Sequence, residues 1–193
     1  MNIRLLPAII ASLLVLLFWY YYSSVYRGAE VFENLAADVA YVGNKECAYC
    51  HSEIYQSYLR TGMGRSFYRP GAQPDIEDFT DNNHVYDRQN NLHYEMVADK
   101  DGYYQVEYRE NDQTARTHEL RRKVDYVVGS GNNNRTYLTS ESGYINEMPA
   151  TWYSEKEIWD LSPGYNHLNM RFNRPVVAEC MHCHNSYNAF EEF

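Results

Sequence analysis

Leu92-His93-Tyr94-Glu95-Met96-Val97 alternates side-chain character from one residue to the next, and Asp99-Lys100-Asp101-Gly102 behind it is turn chemistry leading into Tyr103-Tyr104-Gln105-Val106-Glu107-Tyr108. Successive side chains of a strand point to opposite faces, so such runs joined by such a turn predict an antiparallel hairpin. Thr117–Val128 and Arg135–Thr139 continue the strand-like pattern. Glu110-Asn111-Asp112 and Glu141-Ser142-Gly143 before Tyr144-Ile145 supply further connections. Upstream, Pro70-Gly71 and Pro74 mark the loop where periodicity changes from helical to alternating. The centre of the chain therefore predicts a small antiparallel β meander.

Outward from the meander, each flank carries the same pentapeptide: Cys47-Ala48-Tyr49-Cys50-His51 before it and Cys180-Met181-His182-Cys183-His184 after it, together using all 4 cysteines. Cys-x-x-Cys-His is the attachment sequence for c-type haem, both thiols forming thioethers and the histidine ligating iron. Thiols three residues apart lie on one side of a helical turn, and the next residue is carried round beneath the ring. A zinc site of two Cys-x-x-Cys knuckles, a redox dithiol or structural disulfides would use the same cysteines, but none needs a histidine directly after each pair. The expectation is two covalently bound haems, held by Cys47, Cys50, Cys180 and Cys183, with His51 and His184 as proximal iron ligands. The helix pattern Ile54, Tyr55, Tyr58, Leu59, stopped at Thr61-Gly62, suits a helix lying on a haem face. The expected fold class is α+β: helical haem-bearing segments at both ends of the meander, preceded by one transmembrane helix.

That helix is expected from Leu5–Tyr22, which is apolar but for Pro7 and Ser12 and closes on Phe18-Trp19-Tyr20-Tyr21-Tyr22. At about 1.5 Å per residue it covers roughly 27 Å, near the hydrocarbon thickness of a bilayer. Arg4 before it and Glu30, Glu33 and Asp38 beyond Arg27 favour a cytoplasmic N-terminus. A cleaved signal peptide is the rival reading; Ala37-Asp38-Val39-Ala40 lies far downstream for a cleavage site. The expected organisation is an anchor or signal segment over 1–24, a linker or stalk over 25–40 with Val31, Phe32, Leu35 and Val39 loosely on one face, and a dihaem domain over 41–193. Localisation follows as extracytoplasmic, exported or anchored in the inner membrane, where c-type haem is attached in bacteria.

Opposite each proximal histidine, haem iron takes a second imidazole or a methionine sulfur. His84, in Asn82-Asn83-His84-Val85-Tyr86, His118, in Thr117-His118-Glu119-Leu120, and Met63, in Gly62-Met63-Gly64-Arg65, are the candidate distal ligands, with His93, His167 and His182 behind them. Gly129-Ser130-Gly131-Asn132-Asn133-Asn134-Arg135 lacks the lysine and glycine spacing of a phosphate loop, and reads as a tight turn near a haem edge or its propionates. Trp152, Tyr153, Trp159 and Tyr165 crowd the approach to the second motif, among 20 tyrosines in 193 residues, and aromatic rings pack well on a porphyrin. A net charge of −9 without a basic tract disfavours nucleic acid.

Taken with Met63-Gly64-Arg65-Ser66, Asp125-Tyr126-Val127-Val128-Gly129-Ser130-Gly131-Asn132, Arg135-Thr136-Tyr137-Leu138, Pro149, Thr151-Trp152-Tyr153, Trp159-Asp160-Leu161-Ser162-Pro163-Gly164-Tyr165 and Arg171-Phe172-Asn173-Arg174-Pro175, the two pentapeptides make the chain resemble multihaem c-type cytochromes whose haem module is often fused to tetratricopeptide repeats. The resemblance implies a dihaem electron-transfer module. Relatives often place a histidine where this chain has Asn133, so no ligand role is carried there. They also tend to continue into a third motif and repeat helices, and a natural short form and a piece of a longer protein both stay open. Three functions follow: a membrane-tethered electron carrier serving redox partner proteins; a haem enzyme or sensor with an open distal site for a small nitrogen, oxygen or sulfur compound; and a subunit of a larger assembly built with a repeat protein or with itself. No acid, base or substrate motif requires the second, so the carrier leads.

Overall fold

The computed structural model of the chain describes residues 6–27, 39, 42–111, 113 and 115–185. It forms two compact units, Met1–Tyr49 and Cys50–Phe193, so the division falls inside the first pentapeptide. In the first unit, α1 (Leu6–Arg27) has 22 residues and α2 (Asn44–Ala48) has 5. Gly43, at the N-cap of α2, has φ 78°, the left-handed region that glycine enters without a Cβ penalty.

No helix among the described residues is long and apolar enough to cross a membrane, which corrects the expected transmembrane helix. The physical reason lies in the composition of α1. Its longest unbroken aliphatic run is only Leu13–Leu17, and beyond Phe18 come an indole, three phenols and two serines. Ser23 and Ser24 donate back to the Tyr20 and Tyr21 carbonyls, each at 3.0 Å. The stalk expected over 25–40 lies, except for the helix end and Val39, outside the described residues.

The second unit is dominated by two antiparallel sheets. The first joins β1 (Phe67–Tyr68), β6 (Tyr126–Val128), β7 (Asn134–Glu141), β8 (Tyr144–Glu147) and β11 (Arg174–Pro175) in that order, with β9 (Ala150–Tyr153) also on β7 and β10 (Ile158–Leu161) on β9. The second is the meander β2 (His84–Asp87), β3 (Leu92–Asp99), β4 (Gly102–Glu110) and β5 (Arg116–Lys123). Helices are short: α3 (Ser52–Tyr58) has 7 residues and α4 (Ala178–Asn185) has 8. The α+β expectation of helical ends on one small meander is thus corrected to a mostly β architecture of two sheets. Helical periodicity over so few residues sustains little more than one or two turns, since helix nucleation is costly.

The added sheet arises where strand pairing depends on distant partners. The run Thr117–Val128 breaks at its centre: Val124 N–H donates to the Tyr103 carbonyl at 2.8 Å, and Asp125 N–H to the Leu138 carbonyl at 2.9 Å. One side of that break belongs to the meander and the other to the first sheet. The aromatic stretch before the second pentapeptide is a hairpin, with Trp152 paired to Trp159. In β3 the alternation is realised as expected, Leu92, Tyr94 and Met96 being buried in one core with Val127, Tyr137, Met148, Trp152, Trp159 and Phe172.

Candidate functional site

All four cysteines are free and exposed. Cys47 lies in α2 and Cys50 in the turn after it, in the first and second unit respectively. His51 is the N-cap of α3: its carbonyl accepts Tyr55 N–H at 2.9 Å, while its side chain makes no capping bond and is exposed. No residue of α3 is buried. Ile54, one turn before Tyr58 and on the same face, is 67% exposed. The Thr61 hydroxyl ends the helix, donating to the Tyr58 carbonyl at 2.7 Å and accepting Gly64 N–H at 3.0 Å. Met63 opens the 3-10 turn Met63–Arg65 that follows, with its side chain exposed.

That turn is held by the glycine-rich segment more than sixty positions on. Gly129 N–H donates to the Ser66 carbonyl at 2.7 Å, and Ser130 and Asn132 lie against Gly62. Gly64 packs so closely on the Tyr58 carbonyl that a Cβ has no room. Arg65 Nε, the Tyr68 hydroxyl and Arg135 Nε are buried in this region without a hydrogen-bond partner. Burial pushes the Tyr68 phenol up to about 12, against the opposing charge of Arg135.

The second pentapeptide lies wholly in α4, where Met181 is buried and Cys180, His182, Cys183 and His184 are exposed. Cys180 and Cys183, three residues apart, share one face; His182 faces away from Cys180. The helix grows directly from the sheet. β11 pairs with β8, Val176 N–H continues the ladder to the Ile145 carbonyl at 2.9 Å, and Cys180 N–H donates to the Val177 carbonyl at 3.1 Å. Arg174 braces the approach through the Pro163 carbonyl at 2.6 Å and Glu147 at 3.0 Å. Leu168, Met170 and Val177, in the approach to α4, are exposed apolar side chains.

The segment before β11 is clamped to the meander through charge. Asn169 donates to Asp87 at 2.6 Å and to the Tyr94 hydroxyl at 2.9 Å, and Arg171 Nε reaches the buried Glu107 at 2.7 Å. Two of the motif residues quoted for the resemblance, Arg171 and Arg174, are therefore structural braces of the approach to α4.

The remaining candidate ligands are scattered. His84 Nε2 stands 3.0 Å from His93 Nδ1 across β2 and β3. Burial, then the neighbouring His93, lowers the pKa of His84, with Glu110 and Glu95 opposing. His118 sits at φ 54° in β5, beside an irregularity in its pairing with β4, and is exposed. His167 is exposed beside Asn166. The pairing of His84 with His93 has no local signature, because only the hairpin register brings the two rings together. Among the described residues no three His, Cys, Asp or Glu side chains converge as a metal ligand set. Compared with known protein families, curated proteins and solved structures, the chain matches none.

Proposed function

We propose that the chain is an exported, extracytoplasmic dihaem c-type cytochrome that passes electrons between redox partner proteins, a module like those of the multihaem cytochromes its motifs resemble. The observation that carries the reading is the state of the two pentapeptides: four free, exposed thiols, each pair followed by an exposed histidine and each with exposed apolar side chains near it in sequence. Haem iron already receives four nitrogens from the porphyrin, so it asks the protein for at most two ligands rather than a cluster.

In this reading Cys47, Cys50, Cys180 and Cys183 bind the macrocycles as thioethers, and His51 and His184 hold the proximal side of each iron. Bound haem supplies one-electron chemistry, its iron moving between ferric and ferrous states. Ile54 and Tyr58 by the first motif, and Leu168, Met170 and Val177 by the second, shield the rings from water. The unpartnered donors of Arg65 and Tyr68 match the acceptors of a propionate carboxylate. Met63 and His118 carry the distal role, since His84 is already engaged by His93. A repeat protein or further copies of the chain would extend the electron path.

The test is the haem content and electronic spectrum of the chain matured in a cell that attaches c-type haem, oxidised and reduced, with and without carbon monoxide. Two covalent haems that are low-spin and indifferent to carbon monoxide support the carrier. A high-spin haem that binds carbon monoxide replaces it with an enzyme or sensor. Absence of covalent haem overturns both.

A further inference from the structure

His84 and His93 present two imidazole nitrogens at one point of an exposed edge strand. β2 is the outer strand of the meander, and its register places His84 opposite Glu95 and Tyr86 opposite His93. His93 is fixed by stacking: its ring lies 4.4 Å from that of Tyr86 and 5.1 Å from that of Tyr108, at interplanar angles of 24° and 14°. His84 is exposed, and its Nε2 meets His93 Nδ1 at 3.0 Å. One ring of a chelating pair is thus pre-organised, which lowers the entropic cost of closing on a ligand.

We propose that His84 Nε2 and His93 Nδ1 form a two-imidazole chelate for a divalent transition cation of tetragonal preference, copper(II) foremost. The two nitrogens are 3.0 Å apart in a hydrogen bond, and a small turn of the His84 ring off that line lets both lone pairs meet one ion at little change in separation. With metal–nitrogen bonds of about 2.0–2.1 Å, nitrogens that far apart subtend about 95° at the ion, the cis angle of a square-planar or tetragonal centre. A tetrahedral zinc ion asks for roughly 3.3–3.4 Å between the same atoms. Imidazole suits copper and nickel, and copper(II) tops the affinity order of the first-row divalent ions. When the ion binds, the proton between the rings passes to the other nitrogen of the donor ring, so that both imidazoles bind neutral. Water completes the coordination, as expected at an open edge. Glu95 and Glu110 contribute negative charge towards His84; Arg116 opposes them but is itself paired to Glu95.

The experiment adds copper(II) to the haem-loaded chain, or to the chain with its thiols first alkylated, and reads electron paramagnetic resonance and binding stoichiometry. The expected result is one tetragonal copper per chain coupled to two imidazole nitrogens. His84→Ala and His93→Ala each weaken binding by at least about tenfold, whereas His167→Ala, at an exposed histidine outside the pair, leaves it unchanged. His84→Ala removes an exposed ring from an edge strand, so the test stands even if His93→Ala fails to fold. Copper binding that is unaltered in His84→Ala overturns the proposal. So does a low-spin haem turned high-spin by that substitution, because it places His84 on iron instead.

Discussion

The carboxylate of Glu77 is shared by two neighbours in β7: Arg135 Nη1 donates to its oxygens at 2.9 and 3.1 Å, and the Tyr137 hydroxyl donates at 2.6 Å. Glu77 and Arg135 are only 2% and 6% exposed, and Arg135 Nη1 also donates to the Pro74 carbonyl at 3.1 Å. Removing one partner of a buried pair leaves the other charge uncompensated, so Glu77→Ala is expected to cost about 3–5 kcal/mol. Urea unfolding followed by tryptophan fluorescence reads it; an unchanged midpoint would mean that Arg135 finds another partner.

Replacing Cys180 and Cys183 together by alanine removes two exposed side chains from α4 and leaves its buried anchor Met181 in place. The expected outcome on the proposed function is a folded chain with one covalent haem instead of two, by pyridine haemochrome and intact mass. Two haems retained would show that these thiols do not attach one.

Asp87 sets part of the acid limit. Burial works to raise its carboxyl pKa, but donation from Asn169, Asn90 and Gln89 outweighs it, and the group titrates below its ordinary 3.8. Between the two values the unfolded chain binds more protons, so stability rises with pH there. The contribution is complete above 3.8 and disappears as pH falls through the folded pKa. Asp87→Asn should therefore lower the unfolding midpoint at neutral pH, with the gap from wild type closing on acidification. A gap independent of pH counts against the account.

Two glycines at positive φ separate backbone strain from steric exclusion. Gly129 has φ 111° and a Cβ there collides with the Asn134 carbonyl, whereas Gly143, at φ 85°, faces open space. Gly143→Ala is expected to cost about 1 kcal/mol, from φ alone. Gly129→Ala should cost at least about 3 kcal/mol and disturb the turn resting on Ser66. Equal losses in the two variants would remove the steric explanation.

Much of the meander was legible because its signals are local. Alternation in Leu92–Val97 and the turn at Asp99–Gly102 specify adjacent antiparallel strands without reference to anything distant. The first sheet was less legible. Its strands β1 and β11 are two residues each, and they exist only because β6 and β8 offer free edges. Nothing in Phe67-Tyr68 or Arg174-Pro175 alone announces a strand. The expected transmembrane helix failed for a different reason: an aromatic run counts as apolar when tallied by residue, yet each phenol and each serine brings a polar atom. The candidate site divides the same way. The two Cys-x-x-Cys-His pentapeptides were readable from their spacing, while the Glu77–Arg135–Tyr137 cluster and the His84–His93 pair were not.

By itself the sequence determined the chemistry available at the two pentapeptides, because spacing along one chain is a covalent property that no fold alters. It also determined the β3–β4 hairpin, whose strands are adjacent in the chain. Only the tertiary structure decided that Thr117–Val128 is divided between two sheets, that Gly129 closes on Ser66 behind the Met63–Arg65 turn, and that Glu77 is shared by Arg135 and Tyr137. These relationships depend on long-range register and on the burial of charge, and both are properties of the packed chain that appear only when its distant segments compete for the same partners.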